Sequence, residues 1–135
     1  MSNHHVKLFI EDGTIVYIHH NVSSPDDDDP GKHTRGTTGE KVCFVSRDDG
    51  PFTIEFKVAS PFVSGVGSPG NKIQSFRSGN VDKTNLELLK DISPAIVQNF
   101  AYKVMLAGIP DDPEIIIDNS GGTGSGKKKA KKKRK

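Results

Sequence analysis

Phe52, Ile54, Phe56 and Val58 alternate with Thr53, Glu55 and Lys57. Successive side chains of a β-strand point to opposite faces, so a period of two reads as a strand with one face in a core and the other in water. An α-helix would scatter the same residues around its axis. Ser60-Pro61-Phe62 closes the run, because Pro cannot donate to a strand ladder. A second run at 96–106 puts Phe100, Tyr102, Val104 and Leu106 on one face. Glu114-Ile115-Ile116-Ile117-Asp118 is β-branched, too short for a helix and suited to a last strand.

The start of the chain carries a hairpin signal. Asp12-Gly13 lies between apolar runs, and both residue types tolerate the positive φ of a type I′ turn. A two-residue loop sets Ile10 against Ile15, Leu8 against Tyr17, Val6 against His19 and His5 against His20. Lys41-Val42-Cys43-Phe44-Val45-Ser46 is a further short strand, followed by the turn Arg47-Asp48-Asp49-Gly50. The spacing predicts one short helix within 82–92, with Thr84 and Glu87 as a capping box and Leu86, Leu89 and Ile92 as its apolar stripe. Residues 63–81 read as Gly/Ser-rich loop anchored by Ile73 and Phe76, and 107–113 as a loop.

The chain divides into three parts. Residues 1–118 form the β domain, with an acidic loop at 21–39 broken by Pro25, Pro30, Gly31, Gly36 and Gly39. Residues 119–126 are a Gly/Ser linker of flexible composition. Residues 127–135 are a lysine-rich tail that buries nothing and is expected to be disordered. The 135 residues fit one domain. The net charge of +2 hides an asymmetry: eight of the 19 Lys and Arg residues lie in 127–135, without an acid among them. The other 126 residues hold eleven basic and seventeen acidic residues, a formal charge of −6.

The residues Phe44-Val45-Ser46-Arg47-Asp48-Asp49-Gly50-Pro51-Phe52-Thr53-Ile54-Glu55-Phe56, with Ser60-Pro61-Phe62 after them, resemble the middle of small bacterial cupredoxin-like proteins. Tyr102-Lys103-Val104 and Asp112-Pro113-Glu114-Ile115-Ile116-Ile117-Asp118 resemble their C-terminal strand pair. The resemblance implies an all-β fold, an antiparallel Greek-key β-sandwich (cupredoxin-like or immunoglobulin-like) of about seven strands. It does not carry over the copper site. Type 1 copper needs two His, a Cys and a weak axial Met, with most ligands in one C-terminal loop. Here Cys43 lies early, no His follows His33, and Met105 has neither beside it.

The strongest functional signal is the tail: Lys127, Lys128, Lys129, Lys131, Lys132, Lys133, Arg134 and Lys135. Such a run attracts polyanions through release of condensed counterions, which favours sequence-independent attachment to nucleic acid. It also serves as a solubilising tail, or reads as a nuclear localisation signal in a eukaryote. No apolar or lipid anchor accompanies it, which disfavours a membrane surface. His5 and His20, with His4 and His19 adjacent, could hold Zn²⁺ or Cu²⁺ if a carboxylate joined them; frayed strand ends are the plainer reading. Asp26-Asp27-Asp28-Asp29 lacks the spacing of a calcium loop. Cys43, in an apolar run, reads as buried and inert. The glycines of 64–68 and 121–127 do not fit a P-loop.

No catalytic triad, paired-carboxylate or metalloprotease signature presents itself, so no catalytic residue, cofactor or metal is assigned. The lone cysteine and the absence of a signal peptide or an 18-residue apolar stretch point to a cytoplasmic protein. The expectation is a non-enzymatic binding module attached to nucleic acid or another polyanion by its tail. The alternatives are a structural or protein-interaction β-sandwich, self-associating or bound to a protein partner, and a His-based metal-binding protein.

Overall fold

The computed structural model describes residues 3–21, 29–92 and 96–119. These residues form β1 (Asn3–Glu11), β2 (Thr14–Asn21), β3 (Asp29–Pro30), β4 (His33–Gly36), β5 (Lys41–Ser46), β6 (Phe52–Phe56) and β7 (Ile73–Gln74). They continue as β8 (Phe76–Ser78), β9 (Val81–Lys83), β10 (Glu87–Leu88), β11 (Val97–Leu106), β12 (Ile109–Asp111) and β13 (Glu114–Asp118). The first sheet has the order β3-β2-β1-β5-β9-β8, with β10 also on β5; the second has the order β4-β13-β11-β6-β7, with β12 also on β11. The fold is all-β and sandwich-like.

The hairpin forms in the expected register, with Ile10 opposite Ile15, Leu8 opposite Tyr17, Val6 opposite His19 and His5 opposite His20. Asp12 and Gly13 both take positive φ, 54° and 77°, as a two-residue type I′ turn requires. Alternation then sorts the side chains. Val6 and Leu8 of β1, Ile15 and Tyr17 of β2, and Val42 and Phe44 of β5 are buried on one face. Phe52, Ile54 and Phe56 of β6 meet them from the second sheet, with Phe100, Tyr102, Val104 and Leu106 of β11 and Ile115 and Ile117 of β13. Burying each such side chain contributes about 1.5–3 kcal/mol, so the interface between the sheets is the main stabilising element. Val58, the fourth residue of the β6 pattern, lies beyond the strand and is 87% exposed.

Several expectations are corrected. Both sheets are mixed, because β1 runs parallel to β5 and β13 parallel to β4. Among the described residues no helix forms. The backbone of 84–90 is used laterally instead: Thr84 N–H donates to the Phe44 carbonyl (3.0 Å), and Leu89 N–H to the Glu40 carbonyl (2.9 Å). The supposed capping groups are also engaged elsewhere. Thr84 Oγ1 accepts the Phe44 N–H at 2.9 Å, and Glu87 Oε1 accepts the Ser64 hydroxyl at 3.0 Å. Segment 21–39 supplies β3 and β4, and 63–81 supplies β7, β8 and the start of β9. Ile73 is a buried anchor, but Phe76 is 43% exposed. Within 107–113, Ala107 and Gly108 make a two-residue turn at φ 51° and 82°, which returns the chain as β12. Asn119 is tied to Thr38 through Oδ1 (3.2 Å) and Nδ2 (2.9 Å).

One polar tie joins the sheets at their rim. The Tyr17 hydroxyl donates to Asp111 Oδ2 at 2.9 Å, and Lys32 Nζ donates to Asp111 Oδ1 at 2.8 Å. Burial opposes ionisation of Asp111, but the Lys32 ammonium, the Asp112 N–H and the Tyr17 hydroxyl outweigh it and hold the carboxyl below its usual range. A depressed folded pKa makes this contribution complete at neutral pH. It is lost as pH falls through the ordinary carboxylate range, around 4, and below. Tyr102, by contrast, buries its hydroxyl without a protein partner. Two substitutions of the same chemistry should therefore differ. Tyr17→Phe is expected to cost about 1.5–3 kcal/mol in urea unfolding at pH 7, with the difference from wild type shrinking near pH 3. Tyr102→Phe is expected to leave stability unchanged or raise it by about 1 kcal/mol.

Candidate functional site

The open end of the β1–β2 hairpin gathers four histidines. Because neighbours on a strand face opposite ways, His5 and His20 point away from the core and His4 and His19 point toward it. The outward pair has ring centroids 6.1 Å apart. The His5 pKa is lowered by burial first, then by His20, Lys83, Lys7 and His4, which favours its neutral form. Among the described residues no three His, Cys, Asp or Glu side chains are placed to share a metal ion.

The inward pair builds a polar chain that pairwise reading of the hairpin missed. His4 and His19 are diagonal neighbours, since His4 pairs with Asn21 and Val6 with His19. His4 Nδ1 lies 2.6 Å from His19 Nε2, and His4 Nε2 lies 2.9 Å from Glu40 Oε1. Glu40 Oε1 also accepts the Thr37 N–H at 2.8 Å. A carboxylate oxygen accepts, so Nε2 of His4 carries a proton, and in neutral His4 the Nδ1 lone pair then accepts Nε2–H of His19. Gly36 permits the close packing here. A Cβ at that position would lie 2.8 Å from Leu89 Cδ1 and 3.6 Å from His4 Nε2. This chain fixes imidazole orientation and holds a proton, yet His4 is only 3% exposed. It therefore ties β1 and β2 to the segment before β5 more readily than it presents a base to a substrate. A sequence signal existed only for the two histidines; the approach of Glu40 depends on the return of β4 and the following turn.

The remaining candidates are placed as follows. Cys43 is 5% exposed, and burial, partly opposed by Lys83, pushes its thiol up to about 11. The glycine-rich 64–68 segment spends three of its backbone donors internally: Gly65 N–H on Phe62, Ser68 N–H on Gly65 and Val66 N–H on Ser64 Oγ. Asp29 pairs with His19 through the backbone, whereas Asp26, Asp27 and Asp28 lie outside the described residues. So do the linker 120–126 and all eight cations of the tail, Lys127 through Lys135. Among the described residues no helix is long and apolar enough to cross a membrane.

Two outcomes are expected at these positions. Cys43 should resist a disulfide exchange reagent in the native protein at pH 8, because the thiolate is scarce and shielded; labelling that is fast without denaturant would contradict this. His4→Ala, which removes the central member of the chain, should lower unfolding stability by about 1–3 kcal/mol.

Comparison with known protein families and with curated proteins finds no match to this chain, so its functional reading is drawn from its own residues and geometry.

Proposed function

We propose that the protein is a non-enzymatic binding module whose β-sandwich body is attached to nucleic acid, or to a comparable polyanion, by the basic tail. At the level of family, the proposal includes a cupredoxin-like Greek-key sandwich without its copper ligands, and a cytoplasmic location consistent with a single, buried cysteine. The observation that carries it is the separation of charge. Eight cations occupy 127–135, while the rest of the chain has a formal charge of −6. A body of that sign is repelled by phosphates, so attraction has to come from a local concentration of positive charge. Two features support a connecting role for 119–126. Asn119 is anchored to Thr38, and the composition beyond it, Ser120-Gly121-Gly122-Thr123-Gly124-Ser125-Gly126, is that of a flexible tether.

The tail has a single arginine and no aromatic residue, which suits phosphate contact and not base reading. The test is binding to duplex DNA across a salt series. The full chain is compared with a full-length variant in which the eight cations of 127–135 are glutamine. With all eight engaged, the log–log slope approaches about −7, and the neutral-tail variant loses it. Equal affinity and slope in the two proteins would exclude tail attachment.

A further inference from the structure

The outer faces of the two sheets differ in how their charges are satisfied. On the second sheet three basic side chains are paired, while Lys103 of β11 is exposed with no carboxylate partner among the described residues. Arg35 bonds Asp118, His33 bonds Glu114 at 2.6 Å, and Lys57 bonds Asp112 at 3.0 Å. On the first sheet the strands direct Lys7, Lys41 and Lys83 outward, Arg47 is exposed just beyond β5, and among the described residues none of the four has a carboxylate partner. Glu11, at the hairpin turn, is the acid that shares this face, and Asp48 follows Arg47 in the turn after β5.

The register arranges these cations in a pattern. Ile18 lies opposite Lys7, Lys7 opposite Val45, Val45 opposite Lys83, and Lys83 opposite Phe76. One row across five strands therefore alternates apolar, cationic, apolar, cationic and aromatic residues. Neighbouring strands are about 4.8 Å apart, so the two ammonium-bearing positions are separated by roughly 10 Å with Val45 between them. Beside this row is a depression of about 290 Å³ lined by Lys7, Phe9, Val45, Arg47, Asp48 and Val81. His5, next along the face, is surrounded by positive groups, and its pKa is lowered by burial and then by His20, Lys83, Lys7 and His4.

We infer that this face binds a single-stranded nucleic acid running across β1, β5 and β9. Phosphates lie at Lys7, Arg47 and Lys83, and an unstacked base rests in the apolar depression beside Phe9. The inference rests on the tail-attachment reading and adds a contact made by the body. Four features favour this occupant. A single strand alternates anionic linkers with flat apolar bases, which is the alternation of the row. Its bases are free to stack on side chains, whereas those of a duplex are already stacked. Asp48 at the rim repels a phosphate but accepts the exocyclic amine of a base. A second copy of the chain would bring the same cations against themselves.

The test uses the full chain, a labelled single-stranded oligodeoxycytidine, whose bases carry an exocyclic amine, and a duplex of equal charge. Lys7→Gln combined with Lys83→Gln is expected to weaken single-strand binding about tenfold. It should also make the salt slope shallower by about 1.4, at roughly 0.7 per lost contact, and leave duplex binding unchanged. Phe76→Ala, at an exposed position, is expected to weaken single-strand binding at least about fivefold. Unchanged single-strand affinity and slope in the lysine variant would overturn the inference. Repeating the pair in the neutral-tail background separates the two claims. If the lysine substitutions still weaken single-strand binding there, the face binds independently of the tail. If only the tail substitutions matter, the tail reading stands and the face is excluded. Thermal unfolding of each variant shows whether the fold is intact.

Discussion

The contact between Phe44 and Tyr102 is where the two sheets meet, ring edge to ring face, with centroids 5.6 Å apart. Phe44 is on β5, at the middle of the first sheet, and Tyr102 is on β11, at the middle of the second. Tyr102 packs in turn on Phe56 at 5.2 Å, and Phe56 on Phe62 at 5.7 Å. Aromatic pairs in these geometries contribute about 0.5–1.5 kcal/mol each beyond their burial. Their larger effect is on register. A one-residue slip of β1, β5 or β11 would turn these faces inside out, so fixing Phe44 and Tyr102 inward fixes everything else. It sends His4 into the core beside Glu40 and sends Lys7, Val45 and Lys83 to the surface.

The same constraint accounts for the division of labour between surfaces. The second sheet engages His33, Arg35 and Lys57 in ion pairs that are individually weak in water, and leaves Lys103 without one among the described residues. The first sheet leaves its cations facing solvent in alternation with apolar residues. A body of net charge −6 with one such face is not uniformly repelled by an anionic polymer. A tail of eight cations on a flexible linker adds attraction without orientation, and a structured face adds orientation without long reach. The two features are complementary, and linking them raises the effective concentration of the second contact once the first has formed.

Much of the body was legible in the sequence where a local rule decided the outcome. The Asp12-Gly13 turn gave the hairpin register residue by residue, and the alternation of Phe52–Phe56 and of Phe100 to Leu106 gave the core faces of β6 and β11. Readings failed where tertiary pairing overrode local preference. Thr84 and Glu87 have capping-box spacing, but Phe44 and Ser64 take the hydroxyl and the carboxylate into sheet contacts. The Ala107-Gly108 turn escaped notice because Ala is an unfavourable residue at positive φ. The candidate sites were less legible. His5 facing His20 followed from the hairpin, but the His4–Glu40 contact spans 36 residues. The cationic row needs the parallel β1–β5 pairing, which no turn signal encodes. Phe76 reads from sequence as a loop anchor, yet it is 43% exposed, and Phe9 lines a surface depression.

The most direct measurement is amide chemical-shift mapping of the full chain during titration with a single-stranded oligonucleotide at low salt. The account predicts shifts at Lys7, Phe9, Val45, Arg47, Phe76 and Lys83, together with residues 127–135, while Arg35, Lys57 and Lys103 on the opposite sheet stay in place. Shifts confined to 127–135 would contradict a binding face on the body, and shifts centred on the second sheet would contradict its assignment.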